Sequence, residues 1–471
     1  MRQYDLCVIG SGPAGQRAAI QAAKLGKSAC IVEKRDVVGG VAVNTGTIPS
    51  KALREAILSM LQRQSAMPQV GDFREARRHS FRELVASADR VVDAEIEIVQ
   101  RHLRSNGVQV YHGAGHFLDA NTVGVEGGFG AEKIRAERVL IAVGTEPARP
   151  PSVGFDSVTV ITSDELLSLP TLPHSMIVVG GGVIGTEYAS MLQALGVKVT
   201  LIEGRPRLLE FVDGEITEAL QYHLRQSGMT LRLGERVVTI RRIEAPPGAR
   251  AVDGAMAEAV LESGKTLRAD CLLYAIGRHG ATEGLDLAKA GLEADARGRI
   301  EVNEHFQTKV GHIYAAGDVI GFPALASTSM EQGRAAACHM FGQCAERVSG
   351  QLPYGIYSIP EISMIGWTEE RLTKEEVPFE SGVAMYREIA RGQLIGDDIG
   401  MLKLLIHQES HTILGVHVIG TGATELIHIG QCAMAFNATV EYFVNAVFNY
   451  PTLAECYKTA ALNGLNKLKS V

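Results

Sequence analysis

The chain has 471 residues, of which 46% are hydrophobic and 21% are charged, and its formal net charge is −7 at pH 7. This length exceeds one ordinary hydrophobic core and predicts several domains of the globular type. The acidic balance argues against a nucleic-acid or anionic-membrane partner, and no apolar run reaches the roughly 18–20 residues of a membrane-spanning helix.

Seven cysteines are scattered along the chain, without a C-x-x-C pair or a cluster at metal-ligand spacing. Such thiols are most often small buried hydrophobes, so we predict no metal site and a reducing, cytoplasmic environment. The first strand pattern begins almost at Met1, and for that reason we also expect no signal peptide.

A short apolar run near the start of the chain ends in a glycine-rich turn. Leu6 to Ile9 predict a buried parallel strand. Gly10, Gly12 and Gly15 follow in the pattern G-x-G-x-x-G. Pro13, between them, suits the first turn of a helix. The glycines permit a tight turn and bring the free N–H groups of that helix close to a pyrophosphate.

An acidic residue completes this first unit. Glu33 stands directly after the next predicted strand, Ser28 to Val32. A carboxylate at this place accepts hydrogen bonds from a ribose hydroxyl. Because strand, helix, second strand and acid are in register, we predict a dinucleotide site rather than a glycine-rich turn without function.

The next segments connect this unit to a second one. Residues 39–51 are expected to form a loop that leads into a helix from about Lys51, and a charged amphipathic stretch from Ser80 to Arg104 predicts a surface helix. A buried strand then ends at Gly144 and Thr145. The proline-rich residues 147–151 are a candidate domain boundary.

The opening pattern then repeats. Ser175 to Val179 predict a strand, and the glycines at 180, 182 and 185 again fit G-x-G-x-x-G. A strand from Lys198 ends in Glu203, and the spacing from Gly180 to this acid equals the spacing from Gly10 to Glu33. Since both copies keep every glycine and the acid, we predict two dinucleotide sites rather than one site and a relic.

Two arginines follow the second acid. Glu203 suits the free 2′-hydroxyl of NAD, whereas Arg205 and Arg207 could accept the 2′-phosphate of NADP. The combination suggests that either nucleotide is tolerated. The alternative, that the two arginines only face water, remains open.

Further along, short strands end in residues suited to a sugar or polyol. Cys271 to Ile276 predict a strand that ends at Gly277 and Arg278, and a strand from Thr308 ends in Gly317 and Asp318. A helix from about Ala326 to Phe341 would direct its N-terminus to the same ligand as Asp318. From about residue 350 the chain alternates strands and helices without a further glycine pattern, which predicts a separate α+β domain.

The order of these motifs resembles the pyridine nucleotide-disulfide reductase family of flavoproteins over essentially the whole chain. The resemblance implies an α/β fold with two Rossmann-like dinucleotide-binding domains, one for FAD and one for NAD(P), and a C-terminal α+β dimerisation domain. It places the first part of the FAD domain at residues 1–152, the NAD(P) domain at 153–280, the central FAD part at 281–349 and the dimerisation domain at 350–471. The cofactor-binding residues that it implies are Gly10, Gly12, Pro13, Ala14, Gly15, Glu33, Gly40, Ala42, Thr47, Lys51, Gly144, Gly180, Gly182, Gly185, Glu203, Arg205, Gly277, Asp318 and Ala326.

The chain departs from this family where the thiol chemistry would lie. The family's C-x-x-x-x-C pair aligns with Ala42 and Thr47, and the histidine that it places before Pro-Thr-x-x-Glu is Tyr450 here. A phenol with a reference pKa near 10 is a poor substitute for an imidazole near neutrality. Thiol–disulfide exchange needs an attacking thiolate, so we expect this reaction to be absent.

The parts needed for hydride transfer remain. The resemblance assigns Lys51 to the flavin and Glu187 to a pairing with that lysine near the nicotinamide. This combination resembles the branch of soluble, FAD-containing transhydrogenases, with Lys51, Glu187, Thr47 and Tyr450 as the catalytic residues. We therefore expect hydride transfer between NADPH and NAD⁺ through FAD, with ping-pong kinetics at one nicotinamide site.

The resemblance also implies a homodimer or a higher homo-oligomer in which Tyr450 of the other subunit closes the pocket. The alternative that Tyr450 serves only interface packing stays open. Two other functions stay open. One is an NAD(P)H:quinone or dye reductase of the same fold, and the other is a non-catalytic flavin- or nucleotide-binding sensor.

Overall fold

The computed structural model describes residues 1–65, 81–127, 130–246, 254–343 and 350–468. These residues form two compact units. Unit 1 contains the described residues of 1–67, 82–149 and 276–349, and unit 2 contains those of 68–81, 150–275 and 350–471. The division at residues 152, 280 and 349 stays a prediction.

The helices in the described residues are α1 (Pro13–Lys24), α2 (Gly40–Asn44), α3 (Thr47–Ser65), α4 (Phe81–Ser105), α5 (Val183–Ala194), α6 (Gly214–Gln226), α7 (Ala326–Met340), α8 (Glu369–Lys374), α9 (Ala390–Ile395), α10 (Ala423–Ala435), α11 (Val440–Asn445) and α12 (Glu455–Leu468). No helix in these ranges is both long enough and apolar enough to cross a membrane.

The strands are β1 (Arg2–Ile9), β2 (Ala29–Glu33), β3 (Gln109–His112), β4 (Ala114–Asp119), β5 (Thr122–Gly127), β6 (Gly130–Ile141), β7 (Thr145–Pro147), β8 (Val160–Ile161), β9 (Ser175–Val179), β10 (Lys198–Glu203), β11 (Thr230–Leu233), β12 (Val237–Glu244), β13 (Ala255–Leu261), β14 (Thr266–Ala269), β15 (Cys271–Tyr274), β16 (Arg278–Gly280), β17 (Ile313–Ala315), β18 (Tyr354–Ile356), β19 (Ile362–Gly366), β20 (Phe379–Met385), β21 (Met401–His407) and β22 (Ile413–Ile419).

Unit 1 is built on a parallel sheet in the order β3-β2-β1-β6, with β17 beside β6. Strands β4 and β5 extend it in antiparallel fashion through β6. The ends of β1 and β2 are buried on both faces, which explains their continuous apolar runs. Helix α1 packs closely against α7. Gly333 permits this approach, because a Cβ there would overlap the backbone of Ala14.

Unit 2 contains a second parallel sheet in the order β11-β10-β9-β15-β8, a small antiparallel sheet of β12, β13 and β14, and the C-terminal antiparallel sheet β18-β19-β22-β21-β20. Helices α10 and α12 pack on the C-terminal sheet. Its core includes the fully buried rings of Tyr386, Phe443 and Tyr457. Both parallel sheets present the carboxyl ends of their strands next to a glycine turn, where ligands bind in open α/β sheets.

Some element boundaries differ from the prediction. Residues 40–44, expected as loop, form the short helix α2, and α3 begins at Thr47, ahead of the expected start at Lys51. Helix α4 matches the amphipathic prediction from Phe81 onward, while Ser80 lies outside the described residues. The strand expected from Thr308 is limited to Ile313–Ala315.

Candidate dinucleotide sites

The first glycine turn joins β1 to α1. Gly10 has a φ of +105°, and a Cβ there would overlap the carbonyl oxygen of Ala142. A Cβ at Gly12, by contrast, would meet no atom within 4 Å, so the fold itself does not require a glycine at this position. In the described chain no side chain caps the N-terminus of α1. Free N–H groups facing open space therefore fit the pyrophosphate of a dinucleotide.

Glu33 is buried beside this turn and bonds its residue Ser11. Its Oε2 accepts hydrogen bonds from the backbone N–H (2.9 Å) and the hydroxyl (2.5 Å) of Ser11, and its Oε1 accepts one from the N–H of Arg35 (2.9 Å). The hydroxyl of Ser11 also accepts a hydrogen bond from the N–H of Gly39 (3.0 Å). A carboxylate has room for about four hydrogen bonds, so Glu33 keeps capacity for a ribose hydroxyl.

The second turn repeats this geometry in unit 2. Gly180 has a φ of +112°, and a Cβ at Gly185 would overlap its carbonyl oxygen. A Cβ at Gly182 would again lie in open space, and no side chain in the described residues caps the N-terminus of α5. The two predicted phosphate sites thus share one local structure.

The acid of the second unit has a different partner. Glu203 is buried and accepts the N–H of Gly181 at 2.7 Å. The guanidinium of Arg205 spans both carboxylate oxygens, with Nε 3.0 Å from Oε1 and the second contact at 3.1 Å to Oε2. Burial opposes ionisation, but the hydrogen bonds from Arg205 and Gly181 outweigh it and hold the pKa of Glu203 below its ordinary value. Glu203 is therefore a carboxylate ion paired with Arg205.

One residue in the turn accounts for the contrast between the two acids. Ser11 in unit 1 stands where unit 2 has Gly181. A Cβ at position 181 would lie 2.5 Å from Cδ2 of Leu208 and 3.0 Å from Cβ of Glu203, so any side chain there would displace Leu208 or Glu203. Without a serine hydroxyl in the turn, the carboxylate of Glu203 is satisfied by Arg205 instead.

The alternative that Arg205 and Arg207 only face water is wrong. Arg205 bonds Glu203, and Arg207 donates a 2.6 Å hydrogen bond to Oε1 of Glu370 on α8. Both guanidiniums are thus already paired with carboxylates of unit 2. The sequence carries no signal for the second pair, because its partners are 163 residues apart.

Asp318 forms the centre of a third polar group in unit 1. The hydroxyl of Thr145 lies 3.4 Å from Oδ2 of Asp318, and Arg278 donates to the hydroxyl (2.8 Å) and the carbonyl (2.8 Å) of Thr145. Burial raises the pKa of Asp318, with Arg278 opposing the shift. Ala326, the first residue of α7, and Gly144 belong to the same unit. The carboxylate of Asp318 can accept hydrogen bonds from the hydroxyls of a polyol chain.

The segment that aligns with the family's cysteine pair lies beside the first turn. A Cβ at Gly40 would approach Cα of Gly12 to 2.7 Å, so a glycine lets α2 begin against the phosphate turn. Ala42 lies in α2, and Thr47 is the exposed first residue of α3. Lys51 follows one turn later, is half-buried, and has its Nζ 3.3 Å from the hydroxyl of Ser50.

Of the remaining predicted residues, Glu187 and Tyr450 lie in unit 2 and Gly277 lies in unit 1. Glu187 is buried on α5, and its Oε1 accepts the N–H of Tyr357 at 2.8 Å. Tyr357 was not predicted, and nothing in the spacing of the sequence marks it. Tyr450 is 70% exposed. Gly277, with a φ of +79°, directly precedes Arg278. The pairing of Lys51 with Glu187 stays a prediction, as does each assigned cofactor contact.

Two glycine turns, each closed by an acid, and a buried aspartate suited to a polyol define the scaffold of an oxidoreductase that uses two dinucleotides. Comparison with known proteins agrees with this class of protein. Residues 4–333 match the model of pyridine nucleotide-disulphide oxidoreductases, and residues 352–461 match the dimerisation domain of the same proteins. The chain belongs to the pyridine nucleotide-disulphide oxidoreductase family.

Two curated relatives that match over the full length carry the same name. The soluble pyridine nucleotide transhydrogenase of Mycobacterium tuberculosis is 50% identical over 100% of this chain and 99% of its own length. The protein of that name from Marinomonas sp. is 45% identical over 99% of both chains. These names agree with the predicted activity, and family membership confirms the predicted fold class and implies FAD and a pyridine nucleotide.

Solved structures give the same fold. LpdA from Mycobacterium tuberculosis superimposes with a TM-score of 0.86 at 25% identity, covering 98% of this chain and 99% of LpdA. The HOCl-induced flavoprotein disulfide reductase RclA from Escherichia coli gives a TM-score of 0.85 at 25% identity, with the same coverage.

Proposed function

We propose that this chain transfers a hydride from NADPH to NAD⁺ through bound FAD, with both nucleotides using one nicotinamide site in turn. One observation carries the proposal. The positions of the redox-active cysteine pair hold Ala42 and Thr47, while both phosphate turns keep their full geometry. A chain that binds two dinucleotides without a thiol pair has a nucleotide, rather than a disulfide, as its natural acceptor.

The residues of unit 1 fit FAD. The free N-terminus of α1 and the open space at Gly12 suit its pyrophosphate, Glu33 suits a ribose hydroxyl, and Asp318 with Thr145 suits the ribityl chain. The chemistry that FAD supplies when bound is the reversible two-electron exchange of a hydride with a nicotinamide. Ala42 and Thr47 would place small, uncharged side chains at the flavin face where the disulfide of the reductases lies.

Unit 2 binds and orients the nicotinamide nucleotide. The N-terminus of α5 faces its pyrophosphate, and Glu203 with Arg205 meets its adenosine ribose. Glu187 pairs with Lys51 near the nicotinamide in this proposal. The bond from Tyr357 to Glu187 fixes the carboxylate orientation on α5.

The active form is a homodimer in the proposed mechanism, with Tyr450 of each subunit closing the pocket of the other. The match to a dimerisation domain supports this assembly. So do exposed apolar side chains in the C-terminal part, such as Val447 (96% exposed) and Phe436 (81% exposed). The six described cysteines are free thiols, and the relatives are named soluble, which supports a cytoplasmic location.

Anaerobic stopped-flow mixing tests the proposed reaction. The holoenzyme is mixed with NADPH, then with an NAD⁺ analogue whose reduced form absorbs at its own wavelength. We expect rapid flavin bleaching, followed by analogue reduction at a similar rate without added thiol. Bleaching with no transfer to the analogue but fast reoxidation by a quinone would replace the proposal with a quinone reductase. A flavin that NADPH does not bleach would indicate a sensor.

A pair of lysine variants tests the role of Lys51. Lys51→Met should slow bleaching by NADPH at least about tenfold per bound FAD, which is ~1.4 kcal/mol of barrier. Lys34→Met, which removes an exposed lysine of unit 1, is the matched control and should bleach at the wild-type rate. Equal rates for both variants would remove Lys51 from the mechanism.

A further inference from the structure

Arg207 and Glu370 form an ion pair between two parts of unit 2. The 2.6 Å contact joins the segment that follows β10 to the first turn of α8. Gly214 leaves room for this pair, because a Cβ there would lie 2.6 Å from Oε1 of Glu370 and 2.8 Å from the guanidinium of Arg207. Burial opposes ionisation of Glu370, but the hydrogen bond from Arg207 contributes to a pKa below its ordinary value.

A buried framework fixes the position of Glu370. Lys403 is fully buried, and its Nζ lies 2.9 Å from Oδ1 of Asp213 and 2.9 Å from Oε1 of Glu369. The N–H of Glu369 also donates to Oδ2 of Asp213 at 3.2 Å. Glu369, the residue before Glu370, is therefore held by Asp213 and Lys403. These contacts fix the start of α8, and with it the position from which Glu370 bonds Arg207.

Arg207 lies close to the ribose end of the proposed nucleotide site. Arg205, which covers Glu203, lies 3.6 Å from a carboxylate oxygen of Glu210, and Arg207 donates at 3.2 Å to the backbone carbonyl of the same residue. Both guanidiniums thus reach one residue, beside the acid that marks the ribose. A 2′-phosphate, with more than one negative charge, would attract both of them.

We propose that Glu370 is a positioning residue that sets nucleotide specificity: by pairing with Arg207 it withholds a second cation from the 2′-phosphate. Arg205 alone is then left to exchange Glu203 for that phosphate. With two available arginines the site would favour NADP(H), whereas a transhydrogenase must bind and release both nucleotides. The inference rests on the proposed function insofar as unit 2 takes NADP(H) and NAD(H) at one site.

Binding of two fragments to the holoenzyme tests this role without turnover. Adenosine 2′,5′-bisphosphate and 5′-AMP differ only in the 2′-phosphate, and calorimetry gives a dissociation constant for each. Glu370→Gln keeps the shape of the side chain but removes its charge. We expect it to tighten the bisphosphate about 2- to 5-fold, the range of an exposed ion pair, and to leave 5′-AMP unchanged. The KM for NADPH should fall by the same factor with little change in kcat.

Three variants separate specificity from a structural effect. Glu370→Asp keeps the charge and should stay near wild type, and Glu375→Gln removes an exposed charge just beyond α8 as the matched control. In the double variant Arg207→Gln/Glu370→Gln the gain should disappear. Unchanged or weaker bisphosphate binding in Glu370→Gln, or an equal change for 5′-AMP, would overturn the inference. If the wild type binds the bisphosphate but passes no hydride to the NAD⁺ analogue, the proposed function fails and the binding role stands.

Discussion

The buried lysine of unit 2 allows a sharp test of how its parts are joined. Lys403 is fully buried, and its ammonium lies 2.9 Å from each of Asp213, Glu215 and Glu369. Replacing it by methionine keeps an unbranched side chain of similar length but removes the charge and the hydrogen-bond donors. We expect Lys403→Met to destabilise the unit, because Asp213, itself fully buried, loses the ammonium with which it forms an ion pair.

The magnitude follows from the burial of the three acids. The side chains of Glu215 and Glu369 are 50% and 38% exposed, so water replaces Lys403 there at a cost of ~0–1 kcal/mol each. Asp213 has no such access, and breaking a buried pair by removing one partner costs about 3–5 kcal/mol. Burial opposes ionisation of Asp213, but His417 and Lys403 outweigh it and hold its pKa below the ordinary 3.8.

Urea unfolding of the holoenzyme, followed by circular dichroism, measures this loss. The double variant Lys403→Met/Asp213→Asn removes both charges and should recover a large part of the stability. Lys374→Met, at the exposed end of α8, is the matched control and should stay within about 0.5 kcal/mol of wild type. A loss below about 1 kcal/mol for Lys403→Met, or no recovery in the double variant, would refute the reasoning.

Three further changes test other contacts. Ser11→Ala removes a hydrogen bond to buried Glu33 and should weaken FAD binding by about 1–2 kcal/mol, or 5- to 30-fold, in titrations of the deflavo-protein. Because its folded pKa is lowered, ionised Asp213 should stabilise wild type over Asp213→Asn fully above pH 3.8, and urea titrations should show that advantage shrinking as pH falls through the folded value. Ala42→Cys/Thr47→Cys should add thiols that a thiol reagent detects but no disulfide reductase turnover, since a phenol replaces the imidazole that the family places beside its cysteines.

Controls and contrary results are available for each change. Ser28→Ala loses an exposed hydrogen bond to Asp5 just before β2 and should bind FAD like wild type; equal losses in both serine variants would make the effect nonspecific. A wild-type advantage over Asp213→Asn that grows as the pH falls would contradict the sign. Turnover of a disulfide substrate by the cysteine variant would show that a proton carrier is still present.

The sequence predicts the two dinucleotide units well, because their signals are local. The buried runs at Leu6–Ile9 and Ser175–Val179 need apolar side chains on both faces, and the turns after them need glycine for backbone reasons. The position of the acid after each turn is fixed by the length of one helix and two strand ends. Each of these demands acts within a single strand–helix–strand unit, so pattern and spacing suffice.

Contacts between distant segments are not visible in this way. The partner of Arg207 lies on α8, and the partner of Glu187 is a backbone N–H near β18. Neither contact produces a residue spacing that could be recognised in the sequence. The role of Ser11 is hidden for another reason, since the G-x-G pattern leaves that position free. Helix α2 is missed because Gly39 directly precedes it and Gly40 is its first residue, and glycine weakens any helix prediction.

The hydrogen bonds that Glu203 already makes have a consequence for nucleotide binding and release. Four hydrogen bonds from Gly181 and Arg205 use the whole acceptor capacity of this group, so Arg205 would compete with the ribose that the proposed function places at Glu203. In the proposed function, a nucleotide that hydrogen-bonds Glu203 would have to displace Arg205, and its apparent affinity would be reduced to the fraction of molecules in which Arg205 has moved aside. In the same proposal, the return of Arg205 to Glu203 would favour release of the nucleotide. Glu33, held by Ser11 and a backbone N–H, would impose no such cost on the FAD proposed for unit 1, which suits a cofactor that stays bound while substrates exchange.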